Sequence, residues 1–192
     1  MFYLITVAVA FLAIVLANFF TSGDLTPINL GLLSAKTLCG IAAVFIIDGL
    51  AAFIARRLPE KYFAPDAKLF TVGKREQQLY RRTKINKWKR IIPEWGCFTG
   101  FHKDRMLDPN SSEYVGRFLL ESNYGVLGHV AGAILGFLIM LIPFTPPLTV
   151  SLPIAAVNLV LSILPTMILR YNTPPLRRIY RRNLEREGKK NK

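Results

Sequence analysis

His129 is one of two histidines in this 192-residue chain, and it stands inside an apolar stretch beside Gly128 and Gly132. An imidazole changes charge near neutral pH, which suits it to take a proton from a hydroxyl. Burying an ionisable group in hydrocarbon is costly unless it faces other helices or water, so a functional role is the first expectation. The structural alternative is a neutral histidine hydrogen-bonded to a neighbouring helix. Glu121 lies eight residues earlier. In a continuous helix that spacing is about 12 Å of rise and roughly 80° of rotation, too far for a direct dyad. The two can still line one cavity, unless the helix breaks near Gly125. Asp48 is the other charge within an apolar run. It must be protonated or find a partner, either His129 across a helix crossing or Asn158 or a backbone carbonyl. Gly128, Gly132 and Gly136 form a G-x-x-x-G-x-x-x-G ladder, read first as a helix-packing surface.

The elements that must position these residues follow from four apolar blocks, at about 1–20, 38–55, 124–144 and 148–169. A helix needs roughly 20 such residues to cross hydrocarbon. The sequence therefore predicts an all-α integral membrane bundle of four transmembrane helices forming a single membrane domain over 1–192. The first block lacks a basic leader and a small-residue cleavage site, so it reads as a retained helix rather than a signal peptide. The polar group Glu121-Ser122-Asn123 is taken as the start of the third helix. Pro153 and Pro165 fall in the fourth, where neighbours or water must satisfy the freed carbonyls. Cys39 and Cys97 lie in different environments, which argues against a disulfide, and neither has metal-ligand spacing.

Charge sets the orientation. The formal charge is +13; residues 56–121 hold 15 basic and 8 acidic residues, and 170–192 hold 9 and 2. The connection 21–36 has only Asp24 and Lys36, and the turn at Thr145-Pro146-Pro147 has none. Four spans put both rich segments on one side, predicted cytoplasmic together with both termini. The loop 56–121 interleaves its cations with Tyr62, Phe63, Phe70, Tyr80, Trp88, Trp95, Phe98 and Phe101, a composition unlike basic disorder. Short helices lying against the membrane face are expected there. Arg56-Arg57 with Lys61, and Lys87-Trp88-Lys89-Arg90, suit anionic lipid headgroups or the phosphates of an acyl carrier. The pairs Arg177-Arg178 and Arg181-Arg182 suit surface anchoring. Nucleic acid is excluded as the natural partner, because loop and tail face a membrane that already offers phosphate.

Five motifs occur in one order: Arg57-Leu58-Pro59-x-Lys61-Tyr62-Phe63, Lys87-Trp88-Lys89, Gly100-Phe101-x-Lys103, Glu121-x7-His129 and Arg170-Tyr171-Asn172-x-Pro174. From about Arg56 to Arg182 the chain resembles the glycosyl-4,4'-diaponeurosporenoate acyltransferases, small membrane enzymes of carotenoid glycolipid synthesis. The resemblance implies transfer of a fatty acyl group to a sugar hydroxyl of a lipid-linked substrate at the plasma membrane. Acyl-CoA or acyl carrier protein would serve as co-substrate, with no bound cofactor or metal. It makes His129 the base and Glu121 the residue that orients a sugar hydroxyl or a cation. Lys103, Arg170 and Asn172 would bind the carrier phosphate or the oxyanion, and Arg57, Lys61, Trp88 and Lys89 the substrate. Two readings compete with acyl transfer. One is a scaffold that binds a partner, or a second copy of itself, through the glycine ladder and basic loop. The other is a lipid methyltransferase, for which no nucleotide-type glycine loop speaks.

Overall fold

The computed structural model describes residues 2–92 and 107–190, and among these every regular element is helical. Six α-helices follow one another: α1 (Phe2–Thr21), α2 (Pro27–Arg57), α3 (Lys74–Arg82), α4 (Ile85–Trp88), α5 (Ser112–Leu135) and α6 (Leu152–Lys190). Short 3₁₀ turns at Glu60–Tyr62 and Lys68–Phe70 precede α3, and Gly136–Leu141 extends α5. A single π turn, Pro147–Ser151, leads into α6. Among the described residues four helical segments are long and apolar enough to cross a membrane: Phe2–Thr21, Pro27–Arg57, Ser112–Leu141 and Pro147–Lys189.

Helix termini correct the expected boundaries. α2 begins at Pro27, eleven residues before the apolar block, with the Thr26 hydroxyl capping the Asn29 amide at 3.3 Å. Proline is suited to that first helical position, where an amide proton would have no partner. α5 starts at Ser112, not at the 121–123 polar group. Ser111 Oγ accepts the Tyr114 amide at 3.2 Å, and the Glu187 carboxylate accepts the Ser112 amide at 2.9 Å and its hydroxyl. A carboxylate at a helix N-terminus satisfies free amides and complements the dipole. The end of the predicted loop is thus the first three turns of a membrane-length helix, unbroken through Gly125. α6 continues past residue 169 to Lys190, carrying Pro165, Pro174 and Pro175 within it.

The chain forms two compact units, to both of which α2, α5 and α6 contribute residues. The first comprises Met1–Phe53 and Gly128–Leu164. Its buried core is Ile14, Val44, Ile139, Val150, Ile154 and Ala155. Along α1, Leu4 is 73% exposed and Phe20 68%. A helix apolar on all sides that turns large side chains outward is soluble only in lipid. Asn18 ties α1 to the π turn by donating to the Thr149 carbonyl at 2.8 Å.

The second unit comprises Ile54–Leu127 and Pro165–Lys192. It holds most of the charge and an aromatic core, in which Phe63 stacks on Tyr124 at 4.1 Å and meets Phe70 at 5.5 Å. Asn123, 1% exposed, donates to the Phe63 carbonyl at 2.9 Å, and Tyr124 donates to the Leu58 carbonyl at 3.0 Å. These bonds fold the segment after α2 onto α5. A second cluster of Val115, Phe118, Leu119 and Leu176 packs α5 against α6. Asn183, fully buried, donates to the Pro109 carbonyl at 2.9 Å. Of the loop's aromatic residues, Phe63, Phe70 and Tyr80 are thus buried in packed structure, Trp88 is half-buried and Tyr62 exposed, while Trp95, Phe98 and Phe101 lie outside the described residues.

Candidate functional site

In the first unit the glycine ladder meets the chain's own polar residues. A methyl group on Gly132 would lie 2.5 Å from Asp48 Oδ1, and one on Gly136 2.7 Å from Asn158 Nδ2. One on Gly128 would lie 3.4 Å from the Ala52 Cα. So Gly128 admits backbone, while Gly132 and Gly136 admit two polar side chains. Asn158 donates to Asp48 Oδ1 at 3.2 Å and lies 3.3 Å from the Gly132 carbonyl. Of the partners foreseen for Asp48, the structure forms the Asn158 bond. His129, half-buried on α5, makes no side-chain hydrogen bond among the described residues. A narrow apolar cleft lined by Ile14, Val44, Ile154 and Leu161 also reaches Asn158.

In the second unit a continuous network links α3, α4 and α6. Arg170 grips the Glu76 carboxylate with both Nε and Nη2, the latter at 2.8 Å. Tyr80 donates its hydroxyl to the same carboxylate. Burial alone would raise the Glu76 pKa, but the Arg170 and Tyr80 hydrogen bonds outweigh it and hold it below the ordinary carboxylate value. Burial, then Glu76, push the Tyr80 hydroxyl up to about 12, so it stays a donor. Tyr80 meets Tyr171 edge-on at 6.4 Å, and the Lys89 ammonium sits 5.4 Å from the Tyr171 ring centroid. Trp88 donates Nε1 to the Thr83 carbonyl at 3.0 Å. This brings Arg170, Lys89 and Trp88 into one region. Asn172, two residues beyond Arg170 on α6, is half-buried, and its amide makes no hydrogen bond among the described residues.

Glu121 belongs to a separate cluster of that unit. Its side chain is 10% exposed and lies 2.8 Å from Arg56 Nη1 and 3.2 Å from Arg117 Nη2. Arg117 also faces Glu60 at 3.7 Å. Lys61 is exposed over the Tyr62 ring at 5.1 Å, and Arg57 is exposed at the end of α2. Lys103 lies outside the described residues.

Comparison with known proteins adds one decisive observation. The family model for glycosyl-4,4'-diaponeurosporenoate acyltransferase matches residues 59–182. The chain belongs to this family. No curated protein and no solved structure matches it. The family region contains Lys61, Trp88, Lys89, Lys103, Glu121, His129, Arg170 and Asn172. α1, Asp48, Arg56 and Arg57 precede it. The ladder's glycines and Asn158 fall within the family region, whereas their α2 partners Asp48 and Ala52 do not.

Sequence reasoning missed Glu76, Tyr80, Asn123 and Asn183. Glu76 precedes Tyr80 by four residues in a charged segment, a spacing that faces both to one side of a helix. Nothing local, however, points across 94 residues to Arg170. Asn123 neighbours Glu121 and Ser122, so the sequence alone groups it with helix-start residues, whereas it is a buried clamp on the Phe63 carbonyl.

Proposed function

We propose that this chain is a four-span enzyme of the plasma membrane, with both termini and the 56–121 segment cytoplasmic. It transfers a fatty acyl group from a thioester donor to a sugar hydroxyl of a glycolipid. What carries the reading is His129: an imidazole without a side-chain hydrogen bond among the described residues, in an apolar helix of an acyltransferase-family chain. An unengaged imidazole nitrogen can accept the sugar hydroxyl proton as that oxygen attacks the acyl carbonyl. The new ester C–O bond forms as the C–S bond breaks, and the proton returns to the leaving thiolate. Apolar surroundings exclude water that would otherwise hydrolyse the thioester.

Glu121 in this scheme is a positioning residue, since Arg56 and Arg117 already engage its carboxylate. Asn172 and Lys103 offer donors to the carrier phosphate or the oxyanion. Arg170 acts from a fixed position set by Glu76. Arg57, Lys61, Trp88 and Lys89 supply the cationic, aromatic surface for headgroup and carrier. The scaffold reading loses ground because α2 and α6 residues already fill the glycine ladder.

His129→Ala should insert and fold, yet remove the acylated glycolipid from membrane extracts analysed by mass spectrometry, a loss of at least about a hundredfold for a general base. Undiminished acylation would refute the assignment of the base. Lipid profiles of cells with and without the protein identify the acceptor.

A further inference from the structure

The second unit contains a cavity of about 220 Å³ between the segment before α3 and the middle of α6. Its lining is Thr71, Val72, Thr173, Pro174, Arg177, Arg178 and Arg181. Val72 and Thr173 are buried, Pro174 and Arg177 half-buried, and Thr71, Arg178 and Arg181 exposed. Three arginines and two hydroxyl side chains therefore line an open cleft with no carboxylate in its lining. Arg181 pairs with Asp66 at 2.9 Å, which offsets one of the three charges. Arg177 spends its terminal nitrogens on neutral acceptors, the Thr71 hydroxyl at 2.9 Å and the Ala67 carbonyl at 2.8 Å. Its Nε is buried and has no hydrogen-bond partner. Among the described residues neither Arg177 nor Arg178 forms an ion pair.

A buried guanidinium N–H without an acceptor is costly, and a cluster of uncompensated arginines is costlier still. An anion offering several acceptor oxygens relieves the second of these costs, and phosphate matches the guanidinium fork best. We propose that this cavity binds a phosphate group through Arg177, Arg178 and Arg181. Two sources share that chemistry: a soluble phosphate ester and the headgroup of an anionic lipid. Surface anchoring alone needs no concavity, so three arginines converging on one open cleft favour a defined site over diffuse attraction. A phosphate site here requires nothing of His129, so its failure and that of acyl transfer are separable.

The test uses the full-length chain, purified in neutral glycoside detergent for soluble probes and placed in phosphatidylcholine nanodiscs for lipid. Calorimetric titration with inorganic phosphate and pyrophosphate reports the soluble arm. Native mass spectrometry of nanodiscs containing phosphatidate reports the lipid arm. Arg178→Gln is the main variant, since this exposed side chain makes no hydrogen bond or ion pair among the described residues and its loss should leave the fold intact. Arg177→Gln is the second. Saturable binding in either arm that weakens about tenfold in Arg178→Gln, the expected loss of one charge-assisted contact, supports the site and identifies its source. Absence of saturable binding in both arms, or binding unchanged by both substitutions, overturns it.

Discussion

Glu76 illustrates how one side chain organises its surroundings. It lies where α3 faces α6, and it holds Arg170 and Tyr80 at once. Through Tyr80 and Tyr171 the same contacts extend to Lys89. Because folding lowers the Glu76 pKa, the carboxylate binds fewer protons in the folded chain than in the unfolded one. Its contribution is complete above the ordinary carboxylate range and is lost as pH falls through the lowered value. Glu76→Gln should therefore cost about 1.5–3 kcal/mol near neutral pH, the range for hydrogen bonds to charged groups. Thermal melts of both proteins from pH 7 down to about pH 2, below the lowered Glu76 value, should bring the two curves together in acid. A gap that stays constant with pH would refute the ionic origin of the contribution.

Among the helices, α6 sets the problem. Pro165 has no amide proton, so it leaves the Leu161 carbonyl without its helical donor. Tyr3 of α1 supplies one, donating its hydroxyl to that carbonyl at 3.1 Å. A proline in a membrane helix is thus accommodated by a hydroxyl from a helix 158 residues away in sequence. Tyr3→Phe should destabilise the protein by about 1 kcal/mol. In a Pro165→Ala background, where an amide returns to the carbonyl, the same change should cost markedly less. A double-mutant cycle of unfolding in detergent measures the difference, and equal costs in both backgrounds would show that the bond does not serve the proline.

For the molecule as a whole, charge is the organising quantity. Of the first unit's residues only Asp24, Lys36 and Asp48 are formally charged, while the remaining cations and anions belong to the second. The proposed orientation puts the Ser22–Thr26 connection outside. In a background lacking Cys39 and Cys97, Leu25→Cys should react with an impermeant maleimide on intact cells. A cysteine restored at position 97 should react only after the cells are opened. The opposite labelling pattern would invert the topology.

The sequence by itself determined that the chain is helical, that four segments are long and apolar enough to span a membrane, and that it belongs to an acyltransferase family. These properties depend on composition and local order: an apolar run of sufficient length must satisfy its backbone internally, and helix does so. His129, Asp48 and the glycine ladder were legible for the same reason, as exceptions within apolar runs. Only the tertiary structure decided that Asp48 meets Asn158, that the ladder is filled from inside the chain, and that Arg170 is held by Glu76 rather than left open. Those pairings join residues far apart in sequence. The start of α5 at Ser112 likewise joins the local Ser111 cap to Glu187, which reaches it from 75 residues away, a contact that no local pattern encodes.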